Sequence, residues 1–390
     1  MRLAISCAVV AGWCATAVVS PAQTDAFLCS QYRAQWNELR RTADEEAWTS
    51  LRQRIPAVCP TLQAEIDRSL RTQPRPAPNQ GGPKKPREPI GSSPSQPPVV
   101  RKGPSRARLQ PGQILADCED VCPQMVVLPT GEFTMGDDLG NRPSERPARR
   151  VRIARKIALS RTEITRAQWS AFVTAGERER PGGRNCNVWA GSEWKAEPTA
   201  SWREPGFSQE DNHPAVCISW EDAKDYAAWL SEKAGANYRL PTEAEWEWAA
   251  RAPRTGSNAI QAPYFFGSNL ADLCDYGNGA DSSSSLPERN EICSDGFAKT
   301  SPVGHYAPNA FGLHDTMGNA FEWTEDCVTG DYRNAPRDGH VAVVRPGCPE
   351  RVLRGGSWFV SVSNLRSAFR GRGAPAYRGA GIGFRLALDL

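Results

Sequence analysis

The sequence predicts an α+β protein with little regular secondary structure, and three observations carry that prediction. Helix-capping patterns recur three times between Thr165 and Ala252, each ahead of apolar residues at helical spacing. Short apolar runs that suit buried strands lie outside that region, at Met125 to Leu128 and again at Leu353 to Trp358. After Ala252, Gly, Asn, Asp and Ser dominate and the strand candidates become shorter still. A few early helices followed by loop-rich short strands is an α+β pattern.

The chain has 390 residues and a net charge of +3, long enough for two domains and too near balance to point to a nucleic-acid partner. Residues 1–22 read as a signal peptide: Arg2, an apolar run from Leu3 to Val19, and the small-residue site Ser20-Pro21-Ala22. A retained signal anchor is the competing interpretation. No later stretch is apolar enough to span a bilayer, so the expected compartment is periplasmic or extracellular. Ten cysteines remain after that segment, an even set that favours disulfides in an exported chain. Connectivity is not fixed by sequence, and proximity suggests Cys29–Cys59, Cys118–Cys122, Cys186–Cys217, Cys274–Cys293 and Cys327–Cys348. Cys118 and Cys122 read as a loop staple, with a redox pair as the alternative.

Residues 23–72 carry apolar residues at three- and four-residue spacings, including Phe27, Tyr32, Leu62 and Ile66, and read as a small helical hairpin stapled by Cys29–Cys59. Pro56 and Pro60 read as interruptions of its second half. Residues 73–111 hold eleven prolines among scattered Lys and Arg and read as a basic linker, either a solvated spacer or a contact for anionic surfaces. Residues 112–390 form the main domain. Val151 to Leu159 alternates weakly, as one strand would. Thr165 caps a helix over Arg166 to Ala175, with Trp169, Phe172 and Val173 on one face. Ser219 caps Trp220 to Ala234, with Ala223, Tyr226, Ala227 and Leu230 inward. Thr242 and Glu245 form a capping box for Glu243 to Ala252.

Several blocks then coincide in order. They include Val127-Leu128-Pro129-x-Gly131-x-Phe133-x-Met135-Gly136 and Glu163-Ile164-Thr165. His213-Pro214-x-Val216-x-x-Ser219-Trp220 and Arg239-Leu240-Pro241-Thr242-Glu243 follow. The series closes with Met317-Gly318-Asn319-Ala320-x-Glu322-Trp323, Leu353-Arg354-Gly355-Gly356-Ser357 and Gly383-Phe384-Arg385. Across residues 122–388 the chain resembles the formylglycine-generating enzyme (sulfatase-modifying factor) family. The resemblance implies an atypical C-type-lectin-like fold.

Enzymatic members of that family oxidise a sulfatase cysteine with dioxygen and a copper ion held by two cysteines. Those cysteines follow the serine of the Gly-Gly-Ser block by three and eight residues. The matching positions here are Val360 and Leu365, which offer no thiolate, so copper is not expected. The four histidines, His213, His305, His314 and His340, are too scattered for an iron signature. The resemblance also implies two calcium loops with hard oxygen ligands. One comprises Asp315, Gly318, Ala320 and Glu322; the other comprises Asn269, Leu270, Asp295 and Phe297.

Two functions of different class follow. The first is a non-catalytic exported module that binds a protein or peptide through Asn319, Trp323, Ser357, Trp358, Phe359, Phe369, Arg372 and Tyr377. The second is a protein-modifying oxidase with a non-standard site in the same pocket. The closing block also resembles the diversified variable proteins of retroelements, a special case of the first function. The absence of a nameable nucleophile or redox ligand favours binding.

Overall fold

The closing strand of this chain lies inside its main sheet, which ties the two ends of the domain together. A computed structural model describes Arg33 and residues 59–72, 99–101, 106–119, 121–140, 142–176, 185–253, 262–267, 269–287, 289–340 and 347–390. They fall in two units, Met1–Gly91 and Ser92–Leu390.

In the first unit, helix α1 (Pro60–Thr72) buries Leu62 and Ile66 on one stripe, and Arg33 pairs with Glu65. Pro60 starts this helix instead of breaking it, because the first helical residue has no N–H partner to lose. Cys59 is disulfide-bonded; Cys29 and most of the expected hairpin lie outside the described residues, as do the signal segment and most of the linker.

In the second unit, six strands form one sheet. Their order is β1 (Val99–Arg101), β2 (Ile114–Ala116), β3 (Met125–Val127), β6 (Ile157–Ser160), β14 (Ala387–Asp389) and β9 (Tyr238–Arg239). β14 runs antiparallel to both neighbours, with Ala387 opposite Leu159 on one side and Arg239 on the other. β1 pairs with β2 in parallel, so the expected linker ends earlier than Pro111. Val99 and Val100 are β-branched and follow the last closely spaced prolines, which lets this short stretch join a ladder.

Val151 to Leu159 is two strands, not one. β5 (Arg149–Ile153) pairs with β4 (Gly131–Met135), burying Val151 and Ile153 and exposing Arg150 and Arg152. β6 belongs to the main sheet and is buried at every position. A second sheet orders β12 (Gly371–Gly373), β11 (Arg351–Arg354), β10 (Phe321–Cys327) and β13 (Ile382–Gly383). β7 (Cys186–Trp189) and β8 (Trp194–Glu197) form a hairpin.

Three helices are fixed by their caps. Thr165 with Gln168, Ser219 with Asp222 and Thr242 with Glu245 each form a reciprocal capping box. They open α2 (Arg166–Ala175), α3 (Trp220–Ala234) and α4 (Glu243–Arg251). Trp169 of α2 stacks on Tyr226 of α3 at 5.7 Å, and Phe384 of the closing segment meets both rings edge-on. That nest joins the helices to the end of the chain. α4 has no exposed face: every residue from Glu243 to Ala250 is buried. Its three glutamates are met by arginines, Glu243 by Arg370, Glu245 by Arg239 and Glu247 by Arg251 and Arg354. Buried carboxylates are tolerable only when paired in this way.

Disulfides join Cys118–Cys122, Cys186–Cys217, Cys274–Cys293 and Cys327–Cys348. No helix among the described residues is long and apolar enough to cross a membrane.

Candidate functional site

The site is built on the turn that leaves β11. Gly355 and Gly356 adopt φ of +89° and +80°, which side-chain-bearing residues rarely adopt, and a Cβ on Gly356 would meet Leu365 at 2.6 Å. This reversal places Ser357, whose Oγ donates to the Asn319 carbonyl at 3.2 Å while the Trp358 N–H donates to the same oxygen. The Val360 N–H returns to the Ser357 carbonyl and tightens the turn. Val360 and Leu365 both point into the apolar core, Leu365 being 1% exposed. The positions that carry thiols in the oxidases are packing positions here.

Most of the expected binding surface is not surface. Asn319, Trp323, Ser357, Trp358 and Phe369 are buried. The Asn319 carboxamide accepts from the Ser301 N–H, the Trp323 indole N–H donates to the Ile218 carbonyl, and the Trp358 indole N–H donates to the Ala380 carbonyl. Their polar atoms serve the backbone. Phe369 lies under the Arg142 guanidinium, 4.6 Å from the ring centre. Arg372 is exposed at the β12 edge and reaches Glu350 at 3.4 Å, and Tyr377 is exposed beside Gly373 and Gly379.

Phe359 is the member of the set that reaches solvent beside other aromatic rings. It lies 4.5 Å from Trp194 and 5.3 Å from Trp358, while Phe207 meets Trp358 edge-on at 5.6 Å. Trp194 is 36% exposed. Trp194 and Trp189 sit on the β7–β8 hairpin, which Cys186–Cys217 ties to the segment before α3. An Asn187–Gly379 bridge ties the same hairpin to the closing segment. Trp194 and Phe207 were missed in the sequence. The available signal was Trp189-Ala-Gly-Ser-Glu-Trp194, two tryptophans around a turn.

The two calcium loops differ. In the first, Asn269 bonds within its own turn to Ala271 and Asp272. Asp295 Oδ1 accepts from the Phe297 N–H and Oδ2 from the Tyr306 hydroxyl. Burial raises the Asp295 carboxyl to about 6. The side-chain oxygens of this set are each engaged in a hydrogen bond within the loop.

In the second loop, Asp315 Oδ2 accepts from the Gly304 N–H, but Asp315 Oδ1 has no hydrogen-bond partner. Neither carboxylate oxygen of the fully buried Glu163 has one either. Burial, then the neighbouring Asp315 and Glu322, pushes the Glu163 carboxyl well up, and burial lifts Asp315 to about 6. Gly318 sits at φ +81° with its Cα against Asn278, where a Cβ would lie 1.9 Å from the Asn278 oxygen. Glu322, the expected ligand, is committed elsewhere: Arg385 holds both its oxygens at 2.6 and 2.7 Å and the Trp246 indole donates at 2.6 Å. Glu163, kept protonated by burial, can share its proton with Asp315, and such buried carboxyl oxygens are also the hard donors a cation takes, while Glu322 is committed to Arg385. No group of three or more His, Cys, Asp or Glu side chains among the described residues is arranged to hold a metal.

The short-stranded sheets, buried α4 and the Gly-Gly-Ser turn against Asn319 define a protein of the sulfatase-modifying factor class, without its thiol pair. A pattern described as the sulfatase-modifying factor enzyme 1-like domain matches residues 110–390, and the chain belongs to that family. The formylglycine-generating enzyme of Streptomyces coelicolor is 34% identical over 300 residues, covering 68% of this chain and 88% of that protein. The inactive C-alpha-formylglycine-generating enzyme 2 of Mus musculus is 31% identical over 264 residues, covering 60% and 74%. The structure of PvdO from Pseudomonas aeruginosa superposes with a TM-score of 0.61 at 36% identity, covering 72% of this chain and 100% of that one.

Proposed function

We propose that this chain is an exported, non-catalytic member of its family that binds a protein or peptide on the aromatic face made by Phe359 and Trp194. The observation that carries this is the packing of Val360 and Leu365 into the core at the two positions where the oxidases place copper thiolates. A similar protein described as inactive, that of Mus musculus, supports the same direction. The signal-like segment at residues 1–22 and the disulfides among the described residues support export. Aromatic rings held by a disulfide-anchored hairpin lose little freedom on binding, which suits a recognition surface.

A structural calcium ion belongs to this reading. Asp315 and Glu163 would supply carboxylate oxygens and Gly318 and Ala320 carbonyls, and the ion would neutralise buried acids that otherwise resist ionisation. Its test is the thermal midpoint, which calcium is expected to raise and a chelator to lower, with Glu163→Gln insensitive to both. The binding reading is tested by incubating purified protein with copper(I), dioxygen and a sulfatase-type cysteine peptide. No aldehyde is expected by mass spectrometry; stoichiometric formylglycine would overturn it.

A further inference from the structure

The half-buried Lys299 packs on the Trp358 ring and, among the described residues, has no acidic partner. Its ammonium lies 4.1 Å from the centre of the Trp358 ring, the same ring that Phe207, Phe359 and Trp194 surround. No Asp or Glu side chain among the described residues pairs with it, although Lys299 is half-buried. Three arginines of the closing segment behave otherwise: Arg354, Arg370 and Arg385 are buried and each holds a glutamate.

The Lys299 backbone is fixed. Its carbonyl accepts from Asn278 Nδ2 at 2.8 Å, and the next residue, Thr300, bonds His213 and Gln209 through its hydroxyl. The charge is therefore presented from a rigid loop. Burial holds the ammonium below the usual lysine range, with no acid to offset it. A ring face compensates a lost hydration shell only in part, so an incoming anion has more to offer this group than it has to offer a solvated surface lysine.

We infer that Lys299 receives a carboxylate of the ligand, and that the ligand is a peptide with an acidic residue next to an aromatic or large apolar one that packs on Phe359 and Trp194. This rests on the binding-surface reading above and names the chemistry it selects. An aromatic wall beside one unpaired cation discriminates by charge as well as by area. A neutral isostere would keep the packing and lose only the charge-assisted bond.

The experiment uses two probes, N-acetyl-Phe-Glu-amide and N-acetyl-Phe-Gln-amide, titrated into the full chain at low ionic strength with tryptophan fluorescence as readout. The Glu peptide should bind about tenfold more tightly, the scale of one hydrogen bond to a charged group. Lys299→Met should equalise the two, Lys299→Arg should restore the preference, and Trp194→Ala should weaken both peptides alike. Near-ultraviolet circular dichroism confirms that each variant keeps its packing. Equal affinities in the unaltered protein would overturn the lysine assignment and leave the aromatic surface standing. Binding of neither peptide would overturn the surface itself.

Discussion

The closing half of this chain carries two sets of cations in two settings. Arg354, Arg370 and Arg385 are buried, and each is matched to a glutamate and to backbone carbonyls. The Arg370 and Arg354 guanidinium groups outweigh the opposing effect of burial, so the Glu243 carboxyl stays below its ordinary value. Lys299 rests on the Trp358 ring and, among the described residues, pairs with no acid. The difference separates scaffold from site. A strand-poor fold leaves many carbonyls unpaired, and planar five-donor guanidinium groups satisfy several at once. A lone ammonium with no acid satisfies nothing internal.

The largest way to break this comparison is Arg385→Met, which strands Glu322 in the core. It should cost about 3–5 kcal/mol, read as a fall in the urea midpoint, and the double variant with Glu322→Gln should lose less than Arg385→Met alone. A shift under about 1 kcal/mol, the range of a solvated ion pair, would remove Arg385 from the scaffold set.

Replacing Cys186 and Cys217 together by Ser comes next. Opening that link should cost about 2–4 kcal/mol in thermal unfolding and free the hairpin that carries Trp194. Unchanged peptide affinity in this variant would show that hairpin rigidity is not what organises the face.

A smaller effect comes from His213, which is buried against Thr300 and held below the usual imidazole range by burial. The folded state binds its proton less readily than the unfolded chain does. Its contribution is therefore complete above about pH 6.5 and is lost as pH falls from there toward the depressed folded value. His213→Gln should flatten the fall of the thermal midpoint between pH 7 and pH 5. An identical slope in both proteins would exclude His213 as a source.

The smallest effect is expected at Lys299 itself. Lys299→Met should shift stability by no more than about 0.5 kcal/mol, in contrast to Arg385→Met. A large loss would make Lys299 a member of the scaffold after all.

Much of the fold was legible because its signals are local. The capping boxes at Thr165, Ser219 and Thr242 span four residues each, and the resulting helices start where those residues stand. The disulfides within the described residues join cysteines 4 to 31 positions apart, so proximity finds them. The division of Val151 to Leu159 was not legible, because β5 and β6 take their partners from different parts of the chain. Nor was the role of Pro60, which depends on where its helix begins.

The candidate site was legible in one respect and not in another. That Val360 and Leu365 carry no thiols is a fact of sequence, and it is the signal behind the non-catalytic reading proposed above. Trp358, Trp323 and Phe369 read equally well as anchors or as core, because an aromatic residue is suited to both. Burial decided against them, and Trp194 came forward from a hairpin more than 150 residues before Phe359.

The sequence by itself determined the family, the helix starts and the absence of the copper ligands, since each is written in residue identity or short spacing. Only the tertiary structure decided which cations are matched by acids, that Glu322 belongs to Arg385, and that Lys299 on Trp358 belongs to no internal acid among the described residues. Those are questions of which distant side chains share a small volume with little water, and pairing there is set by the packing of β10, β11 and α4 together.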